Sequence, residues 1–253
     1  MTQPAAARAD REIAAARTRS LLRPIADGLC AAALVASTSL GLAPLIGTRI
    51  VPAKQARQLE AMDLAAILRR LAQTYSALPA YRDRGISVVH SSRYPSLNST
   101  QRFTTEFERS RHFSWVSDLG KNDDYRITFD GVKVFERFYG RQKEVASLGN
   151  ALVGAIGISN VAAAWVPTLL MPEVLSDVGL LPAIRRGSAA QQNDDGAGGH
   201  RCFVLQARDN RLEVRVWISQ KDFLVRRIEH RSAGRDVVTT TDYTPQTDIS
   251  LTP

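Results

Sequence analysis

Residues able to do chemistry are few in this chain of 253, and they are scattered along it. His200 and Cys202, one residue apart, could offer two ligands to a metal. A zinc site needs four donors, usually as two spaced pairs, and no second cluster completes this one. The spacing predicts instead a loop histidine beside a small buried cysteine on a strand. His90, His112 and His230 stand singly on presumed strands, as surface or core residues. Asp194-Asp195-Gly196 starts like a calcium loop but lacks the later oxygen ligands, which leaves a solvated acidic turn. No Gly-x-Ser-x-Gly elbow, phosphate-binding glycine loop, His-Glu-x-x-His or Cys-x-x-Cys occurs. Acid–base or nucleophilic work needs a base held beside a nucleophile, and no such cluster is written here. The expectation is a non-enzymatic protein with no cofactor and no metal.

What the chain does carry is apolar surface. From Val145 to Pro172 no residue is charged, yet Gly149, Asn150, Gly154, Gly157, Asn160 and Pro167 interrupt the run. About 20 apolar residues can cross a bilayer, but glycines and a central proline weaken a continuous helix. The pattern predicts a helical apolar lid over residues 145–184, cut by Pro167, Pro172 and Pro182 into two or three short helices. Upstream, Phe103 and Phe107, then Phe113 and Trp115, alternate with polar residues and so share one strand face. These four either line a ligand cavity or fill a closed core. A lid of about 28 uncharged residues needs an apolar surface to cover, and each large side chain buried is worth about 1.5–3 kcal/mol. The candidate cavity residues are therefore Phe103, Phe107, Phe113 and Trp115 on strands, with Leu152, Ile156, Trp165 and Leu169 from the lid.

Arginine is the other abundant type. Arg208, Arg211, Arg215, Arg226, Arg227, Arg231 and Arg235 crowd the C-terminal half. They make either a face for anionic headgroups or a protein partner, or a solvated strand face.

The positioning elements follow from periodicity. Leu64, Ile67, Leu68, Leu71, Tyr75 and Leu78 recur at spacings of three and four, predicting a core-facing helix over Ala56–Leu78 that Pro79 stops. After Arg84 the period falls to two. Strands are expected from Ile86, across Phe103–Phe107, from Phe113, across Tyr125–Phe129 and over Val132–Tyr139, with Asp130-Gly131 as a hairpin turn. Residues 185–199 read as a flexible polar loop. Strands resume over Cys202–Ala207, Leu212–Ile218, Phe223–His230 and Val237–Tyr243. Eight to eleven strands in an antiparallel meander, one helix and a helical lid make an α+β half-open barrel.

The formal net charge is +8, and a cluster of arginines opens the chain. Residues 28–48 are uncharged and rich in small residues, so residues 1–53 read as a basic segment with a secretory signal or anchor. Val51-Pro52-Ala53 offers a cleavage site, Pro44 favours cleavage, and the folded domain is placed at 54–253. If the segment anchors instead, residues 28–48 would touch the membrane. Cys30 lies in this leader, which leaves Cys202 without a disulfide partner. An exported domain would not meet nucleic acid.

The order of motifs carries a resemblance. It runs from the N-terminal helix through Gln101-Arg102-Phe103, Phe107-Glu108-Arg109 and Phe113-Ser114-Trp115 to the hairpin around Asp130-Gly131-Val132-Lys133. The apolar lid, Gly199-His200-Arg201-Cys202-Phe203, Val216-Trp217-Ile218-Ser219 and Tyr243-Thr244-Pro245 follow. Over about residues 57–253 this resembles the LolA-like superfamily of periplasmic lipoprotein carriers, most closely its exported relatives without a known role. The resemblance implies a periplasmic half-barrel whose lid shelters a lipid or acyl chain. In such carriers a strand arginine ties the lid shut, and Arg102, Arg109 and Arg111 lie in the corresponding region. The chain departs from the carriers in its longer lid and the Gly-rich loop behind it. The alternative in the same fold is a periplasmic sensor or interaction module, similar to anti-sigma-factor regulators, that docks an envelope protein.

Overall fold

A computed structural model describes residues 62–120, 123–232 and 236–250. The basic segment and leader, 28–48 included, lie outside the described residues, as do residues 54–61, the first six of the expected helix among them. No described helix is long and apolar enough to cross a membrane.

Helix α1 spans Leu64–Ala77 and starts at Asp63, whose side chain accepts from the Ala66 amide at 2.7 Å. That bond satisfies one of the amides left unpaired at a helix start. Ile67, Leu71 and Tyr75, spaced by four, are its buried face. Pro79 ends the helix, and strand β1 (Ala80–His90) follows at once, six residues earlier than the change of period suggested. Next come β2 (Ser99–Glu108), β3 (His112–Gly120), β4 (Asp123–Phe129), β5 (Val134–Phe138) and β6 (Arg141–Val145). After the lid the chain returns as β7 (Ser188–Ala197), β8 (His200–Arg208), β9 (Leu212–Ser219), β10 (Val225–Ser232) and β11 (Val238–Gln246).

All eleven strands form one antiparallel sheet in the order β6-β5-β4-β3-β2-β1-β11-β10-β9-β8-β7. The first and last strands pair in its middle, nine residues in register from Arg82↔Gln246 to His90↔Val238. The edges, β6 and β7, are consecutive in sequence and remain unpaired with each other. Three helices join them: α2 (Leu148–Ala155), α3 (Ala162–Leu170) and α4 (Leu180–Arg186). The expected half-open α+β barrel, with N-terminal helix and helical lid, is the architecture observed.

Alternation along the strands separates two faces. On β1 the residues Gly85, Ser87 and Val89 are buried while Arg84, Ile86, Val88 and His90 are exposed. On β2, Phe103, Thr105 and Phe107 turn inward. The helices cover this inner face, and one hydrophobic cluster joins α1, the sheet and all three lid helices.

Two expectations are corrected. Residues 185–199 are no loop, because most of them form β7, paired to β8 from Ser188↔Arg208 to Ala197↔His200 with one bulge. Its side chains are mostly exposed, so backbone pairing along one edge makes it a strand, and its polar sequence gives no sign of that. The lid is cut into three short helices as expected, but of its three prolines only Pro172, just past the end of α3, falls at a break. Pro167 lies inside α3 and Pro182 in the first turn of α4. A first-turn amide has no helical partner to lose. Near Pro167, Thr168 Oγ1 donates to the carbonyls of Ala164 and Trp165, at 2.8 and 2.9 Å. The other turns of the lid fall at Asn160 and Val161, both at positive φ (49° and 71°), and at Gly179 (φ 115°). Left-handed backbone is uncommon for asparagine and an outlier for a β-branched residue.

Candidate functional site

The lid's inner surface meets an aromatic floor. Phe103 stacks on Trp115 (centroids 6.0 Å, 26° between planes) and meets Tyr243 edge-on at 5.7 Å. Trp115 meets Tyr125 at 6.1 Å. Every residue of α3 is buried, and its Trp165 lies edge-on to His230 of β10 at 5.7 Å. Of the eight cavity candidates, Phe103, Phe107, Phe113, Trp115, Leu152, Trp165 and Leu169 all fall in this one cluster. Ile156 does not, being part-exposed at the end of α2.

Polar atoms are caught in the interior. Trp115 Nε1, Trp165 Nε1, Ser117 Oγ, Tyr243 Oη and His230 Nδ1 are buried without a hydrogen-bond partner among the described residues. Burial alone lowers the His230 pKa to about 4, so this imidazole is neutral at physiological pH. Asp83 is fully buried on β1, with Tyr81 Oη donating to its carboxylate at 2.8 Å. Burial outweighs that bond and raises its pKa to about 6. The hydroxyl of Tyr75, beside this pair, accepts from the Val225 amide at 3.1 Å and so fastens α1 to β10.

The three candidate tethering arginines do not reach the lid. Arg109 donates to the carbonyls of Leu78 and Tyr75, both at 3.1 Å, and so holds the end of α1. Arg111 pairs with Glu108 in the β2–β3 turn, and Arg102 points from the opposite face of the sheet. The lid is held by their neighbour. Gln101 Nε2 donates to the carbonyl of Ile158 at 2.9 Å, and Asn160 Nδ2 donates to Gln101 Oε1 at 3.3 Å. Among the described residues these are the side-chain hydrogen bonds that cross from lid to sheet. Gln101 stands in the Gln101-Arg102-Phe103 run of the resemblance, but its only sequence signal for this role is its inward phase with Phe103, two residues on.

Of the arginines of the C-terminal half, Arg208, Arg215, Arg227 and Arg231 share the outer face of the sheet by register, Arg226 does not, and Arg235 lies outside the described residues. Arg226 is buried and ion-paired to Asp222, Arg227 pairs with Asp242 at 2.6 Å, and Arg208, Arg211 and Arg231 are exposed. A bulge between Val225 and Arg227 puts Arg226 inside. Cys202 is buried, and its thiol donates to the His200 carbonyl at 3.4 Å. Asp194 and Asp195 lie on β7, where Asp194 pairs with Arg201 and accepts from Gln220, while Asp195 accepts from Trp217 Nε1. No group of three His, Cys, Asp or Glu among the described residues could hold a metal.

Comparison with known proteins gives a likeness of fold. No family model and no curated protein matches this chain. Similar solved structures include a LolA superfamily protein of Nitrosomonas europaea, at 11% identity and TM-score 0.36 over 76% of this chain and 96% of that one. Another is LprF of Mycobacterium bovis, at 11% identity and TM-score 0.43 over 74% and 94%. A third is MucB, solved in complex with MucA(peri), at 12% identity and TM-score 0.36 over 75% of this chain and 57% of that one.

Proposed function

We propose that this chain is a non-catalytic binding protein of the cell envelope that shelters an acyl chain or similar lipid between its aromatic sheet face and its lid. One observation carries the reading: three short apolar helices bridge the two unpaired edges of the sheet and, among the described residues, are tied to it by side-chain hydrogen bonds of Gln101 alone. Helices of eight, nine and seven residues are too short to persist by themselves in water. They depend on the apolar floor, and an acyl chain offers the same kind of surface. Lifting the lid forfeits about 1.5–3 kcal/mol for each large side chain exposed, and an incoming chain restores much of that. The two tethering hydrogen bonds, at about 0.5–1.5 kcal/mol net each, resist opening only weakly. The exported character rests on the 28–48 leader.

Native mass spectrometry of the protein recovered from envelope membranes is expected to show a bound lipid. The purified protein should take up a fluorescent fatty acid. Recovery of empty protein that takes up none would overturn the reading.

A further inference from the structure

The sheet face turned away from the lid carries a cavity of about 600 Å³, within the ~300–1,000 Å³ of small-molecule sites. It crosses β11, β1, β2, β3 and their neighbours, and register explains its lining. Arg84 pairs with Thr104 on one side and Thr244 on the other, and Thr104 pairs with Val116. In the adjacent row Ile86 pairs with Arg102 and Asp242. Arg84 and Arg102 are thus diagonal cross-strand neighbours, a relation that places positions ~7–8 Å apart, within reach of long side chains. Ile86 borders both, opposite Arg102 and two residues along β1 from Arg84, and with Val88 it makes an apolar strip along β1, each 41% exposed.

The charges around the cavity are unequal in their freedom. Asp242 is held by Arg227 through two hydrogen bonds at 2.6 and 3.2 Å, and Asp124 by Arg126 and Arg137. Asp118 accepts from the Gly120 amide at 2.7 Å. Arg84 and Arg102 have no ion pair or hydrogen bond among the described residues, so two guanidinium groups flank an apolar floor with their donors unspent. Guanidinium forks match carboxylate and phosphate oxygens in geometry as well as charge.

We infer that this outer groove is a second binding site, for a single-chain anionic amphiphile whose carboxylate or phosphate head lies between Arg84 and Arg102 and whose chain runs over Ile86. It stands apart from the site beneath the lid, because alternation along each strand puts the two on opposite faces. An occupant here needs no movement of the lid, so it binds by a route that Gln101 does not control.

Equilibrium dialysis of the full chain below the micelle threshold tests this. The probes are palmitate, palmitoyl lysophosphatidate and, as the uncharged control, monopalmitoylglycerol. The anionic probes are expected to bind, and whichever binds tighter identifies the head as carboxylate or phosphate. R84Q/R102Q should weaken anionic binding about tenfold or more, the loss of charge-assisted hydrogen bonds, and leave the uncharged probe unchanged. Ile86→Glu, a change on an exposed position, should abolish it through the floor. Gln101→Ala should leave binding in the groove intact. Undiminished anionic binding in R84Q/R102Q and Ile86→Glu, equal loss of the uncharged probe, or no binding of either anion overturns the inference. Failure of the lid reading would look different: one equivalent would still bind and remain sensitive to Arg84 and Arg102.

Discussion

Phe103 lays its ring across Gly85, its cross-strand partner, so closely that a Cβ at residue 85 would fall 2.0 Å from the ring's Cζ. The missing side chain on β1 is what lets the aromatic floor lie flat at the centre of the sheet, between Trp115 and Tyr243. Gly85→Ala must therefore displace the ring, a form of overpacking that costs about 1–3 kcal/mol. In a Phe103→Ala background, itself about 3–5 kcal/mol less stable, the added methyl meets empty space and its cost should vanish. Urea unfolding of the four proteins in a double-mutant cycle reads this directly. Additive losses would show that the contact is not the reason for glycine.

Gln101→Ala removes both hydrogen bonds between β2 and the lid. Global stability should fall by only about 1 kcal/mol. The segment from Ile156 to Val161 should exchange its amide hydrogens distinctly faster, and fluorescent fatty acid uptake should quicken. Unchanged exchange in that segment would mean that packing alone holds the lid.

Two arginines two residues apart should behave oppositely. Arg109→Ala strips the carbonyls of Tyr75 and Leu78 of a charged donor at the end of α1 and should cost about 1.5–3 kcal/mol. Arg111→Ala, whose side chain is 78% exposed in its pair with Glu108, should stay within about 1 kcal/mol of the parent. Denaturant midpoints at constant slope compare them.

Stability between pH 4 and 6.5 should reflect two opposed groups. The folded-state pKa of Asp83 is raised by burial to about 6, so the native state binds its proton more tightly than the unfolded chain does. Its contribution is present below the unfolded value, near 4, and is lost as pH rises through 6. The His230 pKa is lowered by burial to about 4, so the unfolded state binds that proton more tightly and stability is lost as pH falls from 6.5 towards 4. Each shift corresponds to about 3 kcal/mol at most, and in the parent the two largely cancel. Asp83→Asn should unmask a loss of stability on acidification, and His230→Gln a gain. Parallel pH profiles for parent and variants would contradict this.

The residues of the floor were legible because a half-buried strand writes its burial with a period of two. Phe103, Phe107, Phe113 and Trp115 announced one face, and Leu64 to Leu78 announced a helix, before any fold was known. Asp130-Gly131 likewise fixed a hairpin through local chemistry: Asp130 Oδ1 accepts from the amides of Val132 and Lys133 at 2.9 and 2.7 Å. Whether the aromatic face lines a ligand cavity or a closed core was not local, because it depends on how the lid helices settle on the sheet. Edge pairing made β7 a strand in spite of its sequence Gln191-Gln192-Asn193-Asp194.

By itself the sequence determined the alternating strands, the first helix, an apolar helical lid and the antiparallel order of the chain, since each follows from periodicity or turn chemistry within a few residues. Tertiary structure alone decided that Gln101 and not an arginine holds the lid, that Arg226 is inside, and that Arg84 and Arg102 share a groove. The reason is register. Residues 18 apart in sequence become diagonal neighbours only when β1 and β2 pair in one particular alignment, and a shift of one residue would send each side chain to the other face of the sheet.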